Sequence, residues 1–259
     1  MDIQQQKSFK VLLLGDSCID MYHFGTCDRI SPEAPVPILK ILNTETKFGM
    51  AENVKLNLLS FGIEVDFITN KEIIKKNRYI DIKSKNHLLR VDEGENTPLI
   101  PIKKEDILIN KKYDAIVISD YNKGFLTEDF CHWVTNNFTE IPIIVDTKKK
   151  NLSCYNNCII KLNKHEFSQL TCGNETSELI VTLGAEGALY KNVIYPTKEV
   201  EVHDVCGAGD VFLSVFTYYY LLTKDIKHSI INANKFSSLS VTKFGTYVLK
   251  EEDINGICI

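Results

Sequence analysis

Short runs of consecutive apolar residues recur along the chain, and each is followed by a polar or turn-forming residue. A strand that is covered on both faces of a sheet gives a continuous apolar run, whereas a half-exposed strand alternates. The runs therefore predict buried parallel strands at residues 11–14, 65–68, 115–118, 141–145 and 179–182.

Longer segments between these runs carry apolar residues with helical spacing. They predict helices at residues 51–60, 127–137, 213–223 and 227–241. Because strands and helices alternate, the predicted fold class is α/β with a mostly parallel sheet. The sequence shows no internal repeat or low-complexity linker, so we expect one domain over residues 1–259.

Two segments depart from this rhythm. Residues 21–47 contain three prolines among short apolar pieces, and residues 76–102 alternate apolar and polar positions around a turn at 85–86. Alternation with period two is typical of half-exposed strands, and proline favours edge strands and turns. We therefore expect these segments to form a small antiparallel β flap, or lid, on the α/β body.

Charge and composition exclude several classes of protein. A net charge of −4 over 259 residues gives no overall electrostatic reason to bind nucleic acid or an anionic membrane. The first ten residues lack the apolar core of a secretion signal, and no apolar run approaches the roughly 20 residues that span a bilayer. The eight cysteines are scattered without zinc-site spacing. We expect a cytoplasmic protein with reduced thiols.

The sharpest chemical pattern is the run DVCGAGD at positions 204–210, which leads directly into an apolar helical segment. A glycine pair lets the backbone curl so that several amide N–H groups point at one spot, and the helix adds its positive end. A carboxylate in such an anion hole would repel phosphate, but it can take a proton from a hydroxyl that attacks the γ-phosphate. Asp210 is therefore a candidate catalytic base.

A purely structural interpretation of this run also exists. Gly-Ala-Gly can be a turn that opens a buried helix, with Asp210 in the first turn because the helix dipole favours a carboxylate there. Two competing phosphate-binding classes fit less well. The chain has no GxxxxGK[ST] loop, and residues 207–209 lack the third glycine of a dinucleotide fingerprint.

With the motifs upstream of it, DVCGAGD resembles the signature of the ribokinase-like (PfkB) carbohydrate kinases, in which a D-T-x-G-A-G-D turn joins a strand to a helix. The resemblance implies a three-layer α/β/α body with a mostly parallel central sheet and a β lid. It also implies that Asp210 is the base and that Gly207, Ala208 and Gly209 form the anion hole. ATP and Mg²⁺ are the implied phosphoryl donor and metal.

The segment LNKHE at 162–166 resembles the P-N-x-x-E motif of the same family. By this resemblance Asn163 and Glu166 organise Mg²⁺ and the phosphates through water molecules, which suits an ion that usually keeps several waters. Lys161 and Leu162 stand where the family usually has Thr-Pro. The structural alternative is a strand end followed by a helix cap.

Two further segments resemble the part of the family that holds the nucleotide. TLGAEG at 182–187 resembles T-x-G-x-x-G, and KFGT at 243–246 resembles the turn that encloses adenine together with a nearby helix. Alone, the first would be a weak hairpin signal, and an isolated asparagine at 234 would be a surface helix residue. The resemblance implies that ATP contacts Thr182, Gly184, Gly187, Asn234 and Gly245.

The N-terminal half narrows the resemblance to bacterial D-glycero-β-D-manno-heptose-7-phosphate kinases. The motifs, in order, are GDSCID (15–20), RISPEAPVP (29–37), KNRYI (76–80), LLRVD (88–92), SDYNKG (119–124) and DTK (146–148). The implied reaction transfers the ATP γ-phosphate to the anomeric hydroxyl of a heptose 7-phosphate. Its product, the 1,7-bisphosphate, lies on the route to nucleotide-activated heptose, a lipopolysaccharide precursor.

The same resemblance proposes residues for the sugar. Asp20 matches a position that binds sugar hydroxyls, since a carboxylate that accepts from two hydroxyls fixes orientation, although a cap or turn role would also explain it. Cations suit the sugar phosphate, and Lys123 is a candidate that could equally be a solvated surface charge. The implied substrate-binding residues are Asp20, Gly49, Asn53, Asp120, Lys148 and Arg78.

The chain departs from the family at its sugar-binding helix. The family opens this helix with two glycines, whereas the segment here is FGMAEN at 48–53, so Met50 places a side chain where backbone normally approaches the sugar. A different sugar, a side chain turned aside or impaired binding would each follow. Cys206 stands where Thr or Ser is usual, and we expect it to be passive.

Two structural units of the family are missing. A helix–strand unit is absent between residues 68 and 76, and a helix is absent between 171 and 179. An exposed sheet edge must be covered or paired, and the resemblance implies a homodimer through the β flap. Two other functions stay open: a PfkB kinase for another sugar, and a catalytically weak homologue that binds or regulates.

Overall fold

The computed structural model describes residues 8–107 and 111–257. Within them the strands are β1 (Lys10–Gly15), β2 (Ser17–Ile30), β3 (Pro37–Met50), β4 (Glu64–Thr69), β5 (Lys75–Asp81), β6 (His87–Glu93), β7 (Ala115–Asp120), β8 (Ile143–Thr147), β9 (Ile159–Asn163), β10 (Glu178–Thr182), β11 (Ala188–Tyr190) and β12 (Val193–Tyr195). The α-helices are α1 (Ala51–Ser60), α2 (Glu128–Asn137), α3 (Lys164–Ser168), α4 (Ala208–Thr223), α5 (Ile226–Ser240) and α6 (Glu251–Ile257).

The larger sheet forms the body of the molecule. Its strand order is β12-β11-β10-β9-β8-β7-β1-β4, parallel from β10 to β4 and antiparallel at β11 and β12. The apolar run of β1 is buried on both faces of this sheet. Val11 and Leu13 pack in a core with α1, α4 and α5, and Leu12 and Leu14 pack in a core with α2. This confirms the predicted three-layer α/β/α body.

Each strand and helix predicted from the apolar pattern coincides with or overlaps an observed element. Strands β9, β11 and β12 are not among the predicted parallel strands, and α4 starts five residues earlier than the helical pattern, directly at Ala208. A side-chain hydrogen bond caps the start of α2. The Thr127 side chain accepts a hydrogen bond from Phe130 N at 3.2 Å at the start of α2, which is a typical N-cap.

The smaller sheet confirms the predicted lid. Its order is β3-β2-β5-β6, with β2 and β3 joined by a proline-containing turn at residues 31–36. The expectation of an antiparallel flap needs one correction, because β2 and β5 pair in parallel. They pair in this way because β1, β2 and β3 are followed by α1 and β4 before the chain returns to the lid at β5.

The fold also lacks the two units that the sequence analysis expected to be missing. Strand β4 is the last strand of the body sheet on its side, and residues 70–74 then lead straight into β5. Residues 169–177, all of them described, contain no helix between α3 and β10. In the part of the chain that the structure describes, no helix has the length and apolar character needed to cross a membrane.

Candidate active site

The carboxyl ends of the parallel strands and the start of α4 meet at one place. Ligands of open α/β sheets bind outside the carboxyl ends of the strands. Before α4 the chain turns at Gly207, whose φ of 77° and ψ of 0° lie in the left-handed region that favours glycine. A Cβ at Gly207 would lie 2.7 Å from Nδ2 of Asn53 in α1. The turn therefore brings the two helices close together.

Asp210 lies in the first turn of α4 and is 2% exposed. Its two carboxylate oxygens accept hydrogen bonds from different elements: Oδ2 from Asn53 Nδ2 at 3.0 Å and Oδ1 from the Tyr121 hydroxyl at 2.8 Å. Burial raises the pKa of Asp210 to about 6, although both hydrogen bonds act to lower it. At neutral pH the carboxylate is therefore mostly deprotonated and able to accept a proton.

Tyr121 is a site residue that the sequence analysis did not single out, although it lies in the SDYNKG motif. It directly follows β7. Its ring has Lys148 Nζ 4.2 Å and Lys76 Nζ 5.6 Å from its centroid, which is cation–π distance. Burial and the charge of Asp210 raise the pKa of Tyr121, so its hydroxyl stays protonated and donates. Only the tertiary contact with Asp210, 89 residues away, reveals it.

Asp20 and Arg78 form a buried ion pair on the lid, between β2 and β5, and are 2% and 6% exposed. The Arg78 guanidinium lies 5.1 Å from the centre of the Tyr22 ring. Gly49 on β3 leaves room for this pair, because a Cβ there would collide with Asp20 Oδ2. The structure thus brings together Asp20, Gly49 and Arg78, which the resemblance assigned to the sugar.

Asp120, at the end of β7, is held by the protein itself. Its Oδ2 accepts hydrogen bonds from Lys149 Nζ at 2.5 Å, Tyr155 Oη at 2.5 Å and Thr147 Oγ1 at 3.1 Å, and its Oδ1 accepts from Asn122 N at 2.8 Å. Asp120 is 1% exposed. Its predicted contact with the sugar stays a prediction, and the observed contacts make it a support of the β7 and β8 ends.

The remaining predicted cations differ in their surroundings. Burial and, after it, the nearby Lys76 ammonium lower the pKa of Lys148, and the charges of Glu166, Asp146 and Asp210 offset this only in part. Lys123 instead donates to Glu95 at 2.5 Å. Lys76 and Lys148 lie on the Tyr121 ring, where an anion could bind between them. Lys76 begins the KNRYI motif but was not singled out as a site residue.

A polar cavity of about 130 Å³ lies beside Gly209. Asn163 and Glu166 line it and also cap α3 reciprocally: Asn163 Oδ1 accepts from Glu166 N at 2.8 Å, and Glu166 Oε2 accepts from Asn163 N at 2.7 Å. The structural alternative for this motif, a helix cap, is therefore present. The cavity is lined by Asp120, Tyr121, Asp146, Lys148, Lys161, Asn163, Glu166 and Gly209.

The donor set of this cavity suits a hydrated metal ion. Among residues 8–107 and 111–257, no group of three or more His, Cys, Asp or Glu side chains could hold a metal ion directly. Asp146 and Glu166 each engage one carboxylate oxygen with the protein and keep the other. A Mg²⁺ ion that keeps its waters and bridges phosphates needs only such polar side chains around it.

An apolar cavity of about 320 Å³ opens on the other side of Gly209. Its walls come from β10, the segment 197–205 and helices α4 and α5, with side chains of Val200, Val202 and Val205. Thr182, Gly184, Gly187 and Asn234 line it, as expected for the nucleotide. Asn234 is no surface residue: it is 5% exposed, and its Nδ2 donates to Tyr195 O at 2.7 Å.

Gly245 is the one predicted nucleotide residue that the structure does not bring to either cavity. Its N–H donates to Asp204 Oδ2 at 3.0 Å, and a Cβ there would lie 2.9 Å from Lys47 Nζ and from the Tyr22 ring. Asp204 also raises the pKa of Cys206, which burial raises first, to about 11. The Cys206 thiol is therefore protonated at neutral pH.

The arrangement joins an apolar cavity and a polar, cation-bearing cavity at a single glycine, next to a buried carboxylate. An aromatic base fits the first cavity, and phosphates fit the second. A hydroxyl brought to Asp210 from the lid side could lose its proton there. Such a layout suits transfer of a phosphoryl group, in which positioning and charge stabilisation supply most of the catalysis.

Comparison with protein-family models gives a single family over most of the chain. The model described as "pfkB family carbohydrate kinase" matches residues 49–253. That range includes α1 with Asn53, lid strands β5 and β6, and the turn and helix with Asp210.

Relatives among curated proteins include the bifunctional protein HldE of a Nitratiruptor species, which is 32% identical over 298 aligned positions covering 95% of this chain. The bifunctional protein HldE of Campylobacter concisus is 32% identical over 296 positions covering 93%. The chain spans 64% and 62% of the length of these two relatives. Because 298 aligned positions exceed the 259 residues of this chain, the matched region of the relative contains segments that are missing here.

Solved structures agree on the fold. Ribokinase from Thermotoga maritima has a TM-score of 0.69 at 17% identity and covers 96% of this chain and 99% of its own. Phosphofructokinase-2 from Escherichia coli, in complex with potassium, has a TM-score of 0.74 at 16% identity, covering 96% and 97%. Ribokinase from Arabidopsis thaliana, complexed with ribose and ATP, has a TM-score of 0.69 at 13% identity, covering 96% and 98%.

Proposed function

The chain belongs to the PfkB family of carbohydrate kinases, and we propose that it transfers the γ-phosphate of ATP to the anomeric hydroxyl of a heptose 7-phosphate. It is a phosphotransferase that acts on an alcohol group of a sugar. The observation that supports the finer proposal is Asp210, a buried carboxylate with a hydrogen-bond donor on each oxygen. It directly follows Gly209, which lines both cavities.

In the proposed reaction, Asp210 takes the proton of the anomeric hydroxyl as that oxygen attacks the γ-phosphorus. A new P–O bond forms to the sugar while the bond to the β-phosphate oxygen breaks, leaving ADP. Asn53 and Tyr121 hold the carboxylate in place. The N–H groups of the first turn of α4 have no acceptor within the helix, but Ala208 N already donates to Val205 O at 3.3 Å. Of the expected anion hole, we therefore propose that the N–H groups of Gly207 and Gly209 stabilise charge on the moving phosphoryl group.

The two cavities suggest where ATP, the phosphoryl donor, binds. Kinases of this family use ATP, and we propose that its adenosine occupies the apolar cavity lined by Thr182, Gly184, Gly187 and Asn234. The phosphates would then reach the polar cavity, which Asn163 and Glu166 line, and these two residues would hold hydrated Mg²⁺ there through water molecules. When bound, the ion would neutralise phosphate charge. A cytoplasmic location is part of this proposal, because ATP is supplied inside the cell.

The acceptor side rests on the lid. A sugar 7-phosphate carries its negative charge far from the reacting hydroxyl, so cations are needed at a distance from Asp210. On the lid, Lys76 and Arg78, the latter paired with Asp20, supply positive charge for it. Lys148, the other candidate, lies nearer the base, in the polar cavity proposed for the ATP phosphates. The heptose assignment also depends on the motif resemblance over the N-terminal half of the chain.

The direct test measures ADP release from MgATP with a panel of heptose 7-phosphate, fructose 6-phosphate and unphosphorylated sugars, using the wild type and Asp210→Asn. We expect turnover on heptose 7-phosphate that falls about 100- to 10,000-fold in the variant, the usual contribution of a general base. Turnover on another sugar would remove the heptose assignment and keep the mechanism. ATP binding without turnover on any sugar would favour a binding or regulatory homologue.

One observation favours the second candidate, a kinase for another sugar. Met50 is 3% exposed, has a φ of 60° and receives a contact of 3.6 Å from Lys76 Nζ to its sulfur. Its side chain occupies space near the cations where the family has a glycine. If it narrows the acceptor site, the sugar panel will show faster turnover on a smaller sugar phosphate than on the heptose.

We further propose that two copies pair through the outer face of the lid. By strand register, Phe48, Leu89 and Val91 share the face that points away from Asp20 and Arg78, and they are 47%, 57% and 38% exposed. Exposed apolar side chains on a sheet face favour association. Sedimentation velocity should show a dimer for the wild type and a monomer for Leu89→Asp, whereas a monomeric wild type would contradict the pairing.

A further inference from the structure

Lys161 is a buried cation at the junction of the two cavities. It lies on β9, is 6% exposed and lines the polar cavity together with Gly209. Its Nζ donates a hydrogen bond of 2.6 Å to Asp146 Oδ2 on β8. Within residues 8–107 and 111–257, this carboxylate is the one hydrogen-bond acceptor of the Lys161 ammonium. Because an ammonium has three N–H donors, two remain for a ligand.

The ammonium lies directly against the turn that opens α4. A Cβ at Gly209 would be 2.9 Å from Lys161 Nζ and 3.8 Å from Asp146 Oδ2. Any side chain at position 209 would therefore displace the ammonium or be displaced by it. Lys161 is also close enough to Asp210 for its charge to lower the pKa of that carboxyl. The Lys161 ammonium therefore lies close to both the Gly207–Gly209 turn and Asp210.

The lysine keeps its charge in this setting. Its Nζ lies 2.6 Å from the Asp146 carboxylate, an anion that favours the ammonium form. Stability alone does not require such a pair, since replacing a buried ion pair by apolar residues is often neutral or stabilising. We therefore interpret the positive charge at the polar cavity as a binding group for an anionic ligand.

We propose that the Lys161 ammonium contacts the terminal phosphate of ATP and stabilises its negative charge while it is transferred to the sugar. This proposal rests on the proposed function only in that it takes ATP as the phosphoryl donor. Lys161 keeps its proton throughout: the phosphorus–oxygen bond to ADP breaks, the bond to the sugar oxygen forms, and the hydroxyl proton goes to Asp210. Asp146 holds the ammonium towards Gly209 during the step.

The test compares binding of AMP with binding of an ATP analogue whose β,γ bond cannot be hydrolysed, both with Mg²⁺, by titration calorimetry. The variant Lys161→Gln keeps a donor for Asp146 but loses the charge. We expect it to bind the analogue about 10- to 100-fold more weakly, the range for a hydrogen bond to a charged group. Binding of AMP, which lacks the terminal phosphate, should stay within about twofold.

The charge-retaining variant Lys161→Arg should keep more of the affinity for the analogue than Lys161→Gln does. If Lys161→Gln does not fold, the double variant Lys161→Met, Asp146→Asn leaves no unpaired charge and is compared with Asp146→Asn alone. The double variant should then show the additional loss, for the analogue only. Sugar turnover is not needed for any of these measurements, so a wrong acceptor would leave the result intact.

Three outcomes would overturn the proposal. Equal weakening of AMP and the analogue in Lys161→Gln would show that the lysine only supports the fold of the nucleotide site. Unchanged affinity for both ligands would show that the ammonium does not reach the terminal phosphate. A wild type that binds AMP and the analogue equally well would also overturn it.

Discussion

Two helices begin at the candidate active site, and they begin differently. Helix α4 starts after Gly207, with a φ of 77°, whereas α1 starts after Met50, with a φ of 60° and a ψ of −135°. Both starts need a positive φ, but only one has the residue type that adopts it without strain. The first turns of the helices meet where Asn53 donates to Asp210.

This difference separates what the site demands of the backbone from what the local sequence prefers. At Gly207 the two agree, so the turn forms at little cost. At Met50 they conflict, because this combination of φ and ψ is close to a region that is essentially restricted to glycine and costs about 1–3 kcal/mol. The strained residue persists because Met50 is packed in the core below the lid. The predictions below test the two starts in order of expected effect.

Gly207→Ala should have the largest effect on activity. The new Cβ would lie 2.7 Å from Asn53 Nδ2 and break its hydrogen bond to Asp210. We expect kcat to fall about 100-fold or more, as when a group of an anion hole is lost. Steady-state kinetics with the preferred sugar measures this.

The matched control is Gly62→Ala, just after α1. Gly62 has a similar φ of 73°, but a Cβ there would meet nothing within 4 Å. The positive φ alone should cost each variant about 1–2 kcal/mol of the free energy of unfolding. Gly207→Ala should lose more because of its collision with Asn53, and only Gly207→Ala should lose activity. Equal kcat in the two variants would contradict a role for the Gly207 turn in placing Asn53.

Asn53→Ala should remove the link between the helices without changing either backbone. Asp210 would lose a donor to its Oδ2, and a hydrogen bond to a charged group contributes about 1.5–3 kcal/mol. We expect kcat to fall about 10- to 100-fold with little change in the KM for ATP. Leu59→Ala on the exposed side of α1 is the control, and a similar fall there would point to general damage of the helix.

Met50→Gly should relieve the strain at the start of α1, and Met50→Ala should not, although both remove the packing of the side chain beyond Cβ. The free energy of unfolding of the glycine variant should therefore exceed that of the alanine variant by about 1–3 kcal/mol. Urea denaturation measures the difference. A glycine variant no more stable than the alanine variant would mean that Met50 is not strained.

Tyr121→Phe should give the smallest change, visible mainly in the pH dependence. The base is active when deprotonated, so kcat/KM of the wild type should fall as the pH drops through about 6, the pKa of Asp210. Loss of the tyrosine donor raises that pKa and should move the acid limb upward by roughly one pH unit. Activity at pH 8 should fall at most about 10-fold, the lower end of the range for Asn53→Ala, because Asn53 still holds the other oxygen of Asp210. A uniform loss at every pH would instead indicate a structural defect.

Local patterns were enough to predict much of the fold and part of the site. Continuous apolar runs mark strands that are buried on both faces, and DVCGAGD marks the start of α4 with Asp210 in its first turn. The short strands β11 and β12 were not predicted, because three residues leave too little periodicity to detect. The parallel pairing of β2 with β5 was also missed, since it depends on where α1 and β4 lie between them.

Part of the site likewise follows from local spacing, and the rest depends on the tertiary structure. Asn163 and Glu166 lie three residues apart and form the reciprocal cap that such spacing allows. Tyr121 and Lys161 were not predicted as site residues, because their partners are distant in the chain or lie on another strand. Asn234 looked like a surface residue by itself, yet it is buried against Tyr195.

The sequence by itself determined the α/β class, the lid segments, the glycine turn before α4 and the identity of the acidic residue that follows it. These depend on periodicity and on the conformations that single residues allow, which are local properties. Only the tertiary structure decided which groups share a site: Asn53 meets Asp210 across 157 residues, and Lys161 meets Gly209 across the strand ends. The physical reason is that burial and pairing of charges depend on contacts between distant segments, and no local pattern encodes them.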